Sequence, residues 1–181
     1  MKSRVTVIAA GIIALFSWWL LSTEQSKQSA TIIENHFIDA FIKNFTLTVT
    51  NESGKTSYTL KADRLEHYND RDNSTIINPI INIPQLDNHW RIRSDFGEID
   101  GDQVIIKLSD NVILTQLGTN DTFEIQTEYI TINTQSQIIE SDQTVKIQNG
   151  SLKLISKGMR LNNLNKQLSL LSNVNGTYDA Q

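Results

Sequence analysis

Four segments of this chain repeat one pattern, and a repeat of that period restricts the possible folds more than any other feature. Each segment starts with a large apolar residue, with an aliphatic one two places on: Tyr58 and Leu60, Trp90 and Ile92, Phe123 and Ile125, Leu152 and Leu154. A small residue stands four places after each start (Ala62, Ser94, Thr127, Ser156). A branched aliphatic stands twenty-two places after it (Ile80, Val112, Val145, Val174). The starts lie 32, 33 and 29 residues apart, so the offsets inside the unit are fixed and the slack falls in the turns. Periods of this size belong to supersecondary units that stack and bury a shared core. Inside each unit, apolar and polar residues alternate with the two-residue period of strands.

Turn chemistry separates the strands. Asn51-Glu52-Ser53-Gly54 follows the alternating Phe45, Leu47 and Val49 and predicts a hairpin into Tyr58. Further turn signals are Asp70-Arg71-Asp72-Asn73, Asp100-Gly101-Asp102, Leu117 to Asp121, Gln148-Asn149-Gly150 and Asn175-Gly176. Pro79 and Pro84 bracket Ile80 to Ile83, so that strand is expected at an edge or interrupted. Residues 41–181 are therefore expected to form one all-β domain, a sandwich, roll or open barrel. Its apolar strand faces meet inside, leaving either a closed dry core or a curved pair of sheets around an apolar groove.

The amino terminus carries a different signal. Lys2 and Arg4 precede an apolar run from Val5 to Leu21, 17 residues long. As a helix it would reach about 26 Å, short but enough to cross a bilayer core. Trp18 and Trp19 stand at its far end, where amphipathic rings settle at the interface. No small-x-small cleavage site follows, so an uncleaved anchor is favoured over a signal peptide. The expected order is a cytoplasmic tip at 1–4, a transmembrane helix at 5–21, a linker at 22–40 and the β domain outside.

Other chemistries are poorly served. The net charge of -4 provides no basic field for nucleic acid. The absence of cysteine removes disulfides, thiolate metal sites and thiol catalysis. Gly54-Lys55-Thr56 lacks the earlier glycine and the following helix of a phosphate loop, and reads as a hairpin turn. His36, His67 and His89 form no ligand cluster, and His67 takes the place of Ile99, Ile132 and Leu161 in the later units. Asp63, Glu66, Asp70 and Asp72 are interleaved with Lys61, Arg64 and Arg71, as on a solvated strand face. No metal, cofactor or catalytic residue is expected. The rivals are a membrane-anchored scaffold with a dry core and an exported hydrolase using carboxylates near Asp63 to Asp72.

The run from Ser57 to Tyr68 (SYTLKADRLEHY), then Ile76-Ile77-Asn78-Pro79-Ile80 and Trp90 to Asp95, resembles the LptC family in order and spacing. The amino-terminal anchor belongs to the same pattern. The resemblance implies a twisted β-jellyroll, open along one side, following one transmembrane helix at the inner membrane. It implies a non-enzymatic carrier of lipopolysaccharide. The glycolipid would come from an ATP-driven transporter of the LptB/LptF/LptG type and pass to a periplasmic carrier of the LptA type through the carboxyl-terminal edge. The edge near Phe41 to Val49 would face the transporter, and that from Leu168 to Val174 the carrier.

Strand parity then selects the lipid-lining positions: Phe45, Leu47, Tyr58, Leu60, Ile76, Trp90, Ile92, Leu108, Val112, Phe123, Ile125 and Val145. Aspartate at Ile76 or Ile92 is expected to abolish lipid capture in a protein that still folds.

Overall fold

The structure, a computed structural model, describes residues 38–68, 72–84, 89–118 and 123–178. The expected anchor at 5–21 and the Asp70-Arg71 turn lie outside the described residues, as does most of the segment Leu117 to Asp121. Among the described residues, no helix is long and apolar enough to cross a membrane.

Among the described residues, eleven strands follow in order. They are β1 (Ile38–Thr50), β2 (Thr56–Tyr68), β3 (Asn73–Ile77), β4 (Ile80–Pro84), β5 (His89–Arg93) and β6 (Phe96–Asp100). Then come β7 (Ile105–Leu117), β8 (Phe123–Asn133), β9 (Ile138–Asn149), β10 (Leu152–Asn162) and β11 (Gln167–Tyr178). The first begins at Ile38, inside the segment expected as linker. Asn51 closes the β1–β2 hairpin: its Oδ1 accepts from the amides of Ser53 and Lys55, and Gly54 takes the left-handed φ of +76°. That disposes of Gly54-Lys55-Thr56 as a phosphate loop. Asn175-Gly176 makes no turn; both residues lie within β11.

All pairings are antiparallel, and β3 with β4, like β5 with β6, are two arms of one interrupted strand. β2 pairs with β3 through Arg64 to His67 and with β4 through Thr59 to Lys61. β7 holds β5 and β6 in the same way. The result is a meander from β1 to β11 in which each long strand lies beside its sequence neighbour. β4 is internal to it, between β2 and β5, so Pro79 marks an interruption and not an edge.

One bend line crosses the whole meander. Asn44, Asn78, Asp110, Asn111, Gly158 and Asn173 on this line all have left-handed φ, which Asn, Asp and Gly tolerate best. Register shifts fall beside it in β7–β8, β8–β9, β9–β10 and β10–β11, and such bulges bend strands sharply. Across the interruptions, the Asn78 amide donates to Asp95 O at 2.8 Å and the Asp95 amide to Asp110 O at 3.0 Å.

The fourth-place small residue of each repeat sits at this bend, and Ala62, Ser94, Thr127 and Ser156 are all buried. Three of them satisfy carbonyls freed by the turn. Ser94 Oγ donates to Phe96 O at 2.8 Å, Thr127 Oγ1 to Thr144 O at 3.0 Å, and Ser156 Oγ to Gly158 O at 3.1 Å. A larger side chain there would hold the two arms apart.

Folded along the bend, the meander becomes two facing layers. The front layer holds the repeat starts; the back layer holds β3, β6 and the far arms of the long strands. One hydrophobic cluster fills the space between, from Leu60 and Ile81 in front to Ile106, Ile132 and Leu161 behind. Burying each such aliphatic contributes about 1.5–3 kcal/mol. Packing is tight enough that a Cβ on Gly97 would come within 2.8 Å of both Ile76 and Leu108.

Candidate functional site

The site that emerges is an apolar track running across the strands. Cross-strand partners share a face, so pairing traces it directly. Leu47 pairs with Leu60, Leu60 with Ile81, Ile81 with Ile92 and Ile92 with Leu114. Leu114 then pairs with Ile125, Ile125 with Ile147, and Ile147 with Leu154, which lies opposite Gly176 on β11. One aliphatic row thus runs from β1 to β10, and Gly176 continues its line on β11. A second row in the back layer runs from Ile99 through Ile106, Ile132 and Ile139 to Leu161 and Leu168. Its β1 end is polar: His67, half-buried, lies 3.3 Å from Ser74 Oγ.

The parity read from the sequence is the one the structure adopts in the front layer, where Ile92 is buried while Arg91 and Arg93 are exposed. Tyr58, Leu60, Ile76, Trp90, Ile92, Leu108, Val112, Ile125 and Val145 are buried. Phe45 and Phe123 are half-buried against the same core, and Trp90 meets Phe123 edge-on with ring centroids 5.8 Å apart. Leu47 faces the same way yet is 36% exposed, because no described strand lies on the outer side of β1.

Ile81, Leu114, Ile147 and Leu154 belong to the track and are not among the lining positions selected from the sequence, although Leu154 marks the fourth repeat. Ile81 was masked by the repeat itself, which put Ile80 in register with Val112 and Val145. The Asn78–Pro79 interruption shifts the first unit, so Ile80 turns outward and is 36% exposed. Val174 keeps the inward side but lies on the open edge, 51% exposed.

In the middle the track is closed. The cavity between the layers holds about 30 Å³ and opens beside Tyr58, Ile83, Ile106 and Ile139. That is room for water, whereas sites for drug-sized ligands begin at about 300 Å³. Burial at this mouth pushes the Tyr58 phenol above its ordinary value. Ile92, at 0% exposure, is part of the closed core, so aspartate there is expected to unfold the protein, where the sequence reading expects it to stay folded.

At the two ends the track is open. On β1, Ile42 and Leu47 carry the inward face into solvent; on β11, Val174 and Tyr178 do so. Among the described residues, both strands also leave one backbone edge without a partner.

Within the acidic stretch, Asp63 and Glu66 lie on the outward face of β2. Glu66 pairs with Arg64 and accepts from Tyr68 Oη, and Asp63 accepts from Asn78 Nδ2 at 2.8 Å. Among the described residues no group of three or more His, Cys, Asp or Glu could hold a metal.

A family model described as lipopolysaccharide-assembly, LptC-related, matches residues 6–179. The lipopolysaccharide export system protein LptC of Haemophilus influenzae is 23% identical over 202 residues, covering 98% of this chain and 95% of that protein. The lipopolysaccharide export system protein LptC of Escherichia coli K12 is 22% identical over 183 residues, covering 99% of this chain and 96% of that one.

Proposed function

The chain belongs to the LptC family, and on that premise we propose that it carries lipopolysaccharide through the cell envelope along the track between its two layers. It acts as a passive, non-enzymatic carrier. An inner-membrane anchor at 5–21 holds it beside an ATP-driven transporter of the LptB/LptF/LptG type, and it delivers to a periplasmic carrier of the LptA type. The observation that carries this reading is the aliphatic row from Leu47 to Leu154, continuous across the sheet and open at both outer strands.

The physics requires such a path. Each methylene kept from water is worth about 0.8 kcal/mol, so acyl chains do not cross an aqueous space unaided. The backbone edges of β1 and β11 that no described strand covers suit strand addition by neighbouring jellyrolls, which would join one track to the next. The transporter side is assigned to β1 and the carrier side to β11. Because the resting cavity is only about 30 Å³, acyl chains enter by parting the layers at their apolar mouth, with the bend line as hinge.

The small cavity also favours one other reading, a scaffold whose core never admits lipid. A photo-crosslinking residue placed at Leu47, and separately at Ile92, of the full chain in cells tests both. Carriage predicts a lipopolysaccharide adduct at Leu47, and one at Ile92 only while the partner ATPase runs. No adduct at either position would establish the scaffold.

A further inference from the structure

The outer surfaces of the two layers differ in charge, and the front one is built to meet an anionic plane. On it, Lys61, Ile80, Arg93 and Ile113 stand side by side on successive strands. Beyond Gln126 the same row continues with Lys146 and Ile155. Arg91 and Lys153 stand one row nearer the mouth, with Glu124 between them as the one carboxylate of that row. From β2 to β10 the row spans six strand spacings, about 29 Å.

None of Lys61, Arg91, Arg93 and Lys146 is in an ion pair among the described residues; the ion pairs present there, Arg64–Glu66 and Arg160–Glu140, lie on the back layer. Carboxylates return only at the bend, where Asn78 and Asn111 amides engage Asp63 and Asp95. Ile80 and Ile155, 36% and 48% exposed, put apolar side chains among the cations. In a chain of net charge -4, such segregation is not an average of composition.

We infer that the front outer face docks against the anionic headgroups of a bilayer. Alternating cations and aliphatics on a broad sheet face match a headgroup plane, with charge held at the surface and isoleucines reaching beneath it. A basic side chain near an anionic leaflet contributes about fivefold in affinity. Three charge reversals should therefore weaken docking by at least about a hundredfold at low salt.

The chain has no cysteine, so single labels are clean. An environment-sensitive dye at Gln126→Cys reports the front face, and one at Thr131→Cys the back. The full-length protein is reconstituted in phosphatidylcholine vesicles with or without phosphatidylglycerol, and access of acrylamide to each dye is measured.

The expected result is shielding of Gln126→Cys only, only with phosphatidylglycerol, reversed by high salt. The Lys61→Glu, Arg93→Glu, Lys146→Glu variant should lose that shielding with its thermal unfolding unchanged; the salt and lipid series decides the matter should the variant fold poorly. Equal shielding in neutral vesicles, or none in either, overturns the inference. So does shielding already present in detergent, which would mark a second copy. Shielding by lipopolysaccharide aggregates but not by phosphatidylglycerol overturns it as well.

Discussion

The middle of the track and its two ends are written in the same residues but live in different surroundings. Leu60, Ile92 and Leu114 are fully buried, while Leu47, Ile42 and Val174 on the outer strands are 36%, 52% and 51% exposed. Nothing in side-chain chemistry separates a leucine at 47 from one at 60. What separates them is the count of covering elements: a central strand has two neighbours and a facing layer, an outer strand has one neighbour. Stability is therefore concentrated in the middle, and adhesive surface is concentrated at the ends. A carrier that must hand a lipid onward gains from that division, because its ends can be remade by a partner without disturbing its core.

The largest effect that tests this division comes from placing a carboxylate at each region. Ile92→Asp buries an unpaired charge and is expected to destabilise by on the order of 5 kcal/mol or to prevent folding. Leu47→Asp, on the same face of the same layer, is expected to change stability by less than about 1 kcal/mol while abolishing lipid transfer. Urea denaturation of both proteins is the measurement. A stable Ile92→Asp protein would mean that the middle is a wet groove in solution and that the two regions do not differ.

Glycines sharpen the comparison at smaller scale. At Gly97, added Cβ would meet Ile76 and Leu108 at 2.8 Å, both held in the core. Gly97→Ala is expected to cost about 1–3 kcal/mol by overpacking. At Gly176, the added Cβ would meet Leu154 Cδ2 at 2.7 Å, the far end of a half-buried side chain beside the open edge. Gly176→Ala is expected to be tolerated within about 0.5 kcal/mol. Equal melting temperatures for the two variants would show that the core yields as readily as the edge.

Much of this was legible in the sequence, and the reason is the two-residue period. Alternation put Ile92 and Arg93 on opposite faces, with Ile92 the expected inward one, and turn residues such as Asn51 and Gly54 placed the hairpins. The fourth-place small residues were visible as a pattern, but their role at a bend was not, because a bend is a relation between strands that no single unit contains. Ile81 was missed for a local reason: the Asn78–Pro79 interruption shifts the first unit and makes Ile80 imitate the inward Val112. The openness of Leu47 and Val174 was hidden for a different reason. Exposure depends on which strand has a neighbour, and the repeat treats all its strands alike. The closed middle was equally hidden, since the volume between layers is set by how deeply side chains interdigitate.

The smallest contrast uses the same hydrogen bond in both regions. In the middle, Thr127 Oγ1 donates to the Thr144 carbonyl at 3.0 Å across the bend and contacts Ser141 Oγ at 3.2 Å. On β11, Ser172 Oγ donates to the Lys157 carbonyl at 3.1 Å, exposed to solvent. Thr127→Val removes the donor from a buried carbonyl and is expected to cost about 1 kcal/mol. Ser172→Ala lets water replace the hydroxyl and is expected to stay within about 0.5 kcal/mol. The pair should be measured by chemical denaturation alone and again with a partner jellyroll bound. If strand addition covers β11, the Ser172→Ala cost rises toward that of Thr127→Val, since water no longer reaches Lys157 O. If it stays unchanged with partner bound, the β11 edge is not where that partner adds, and the handover must use the other end.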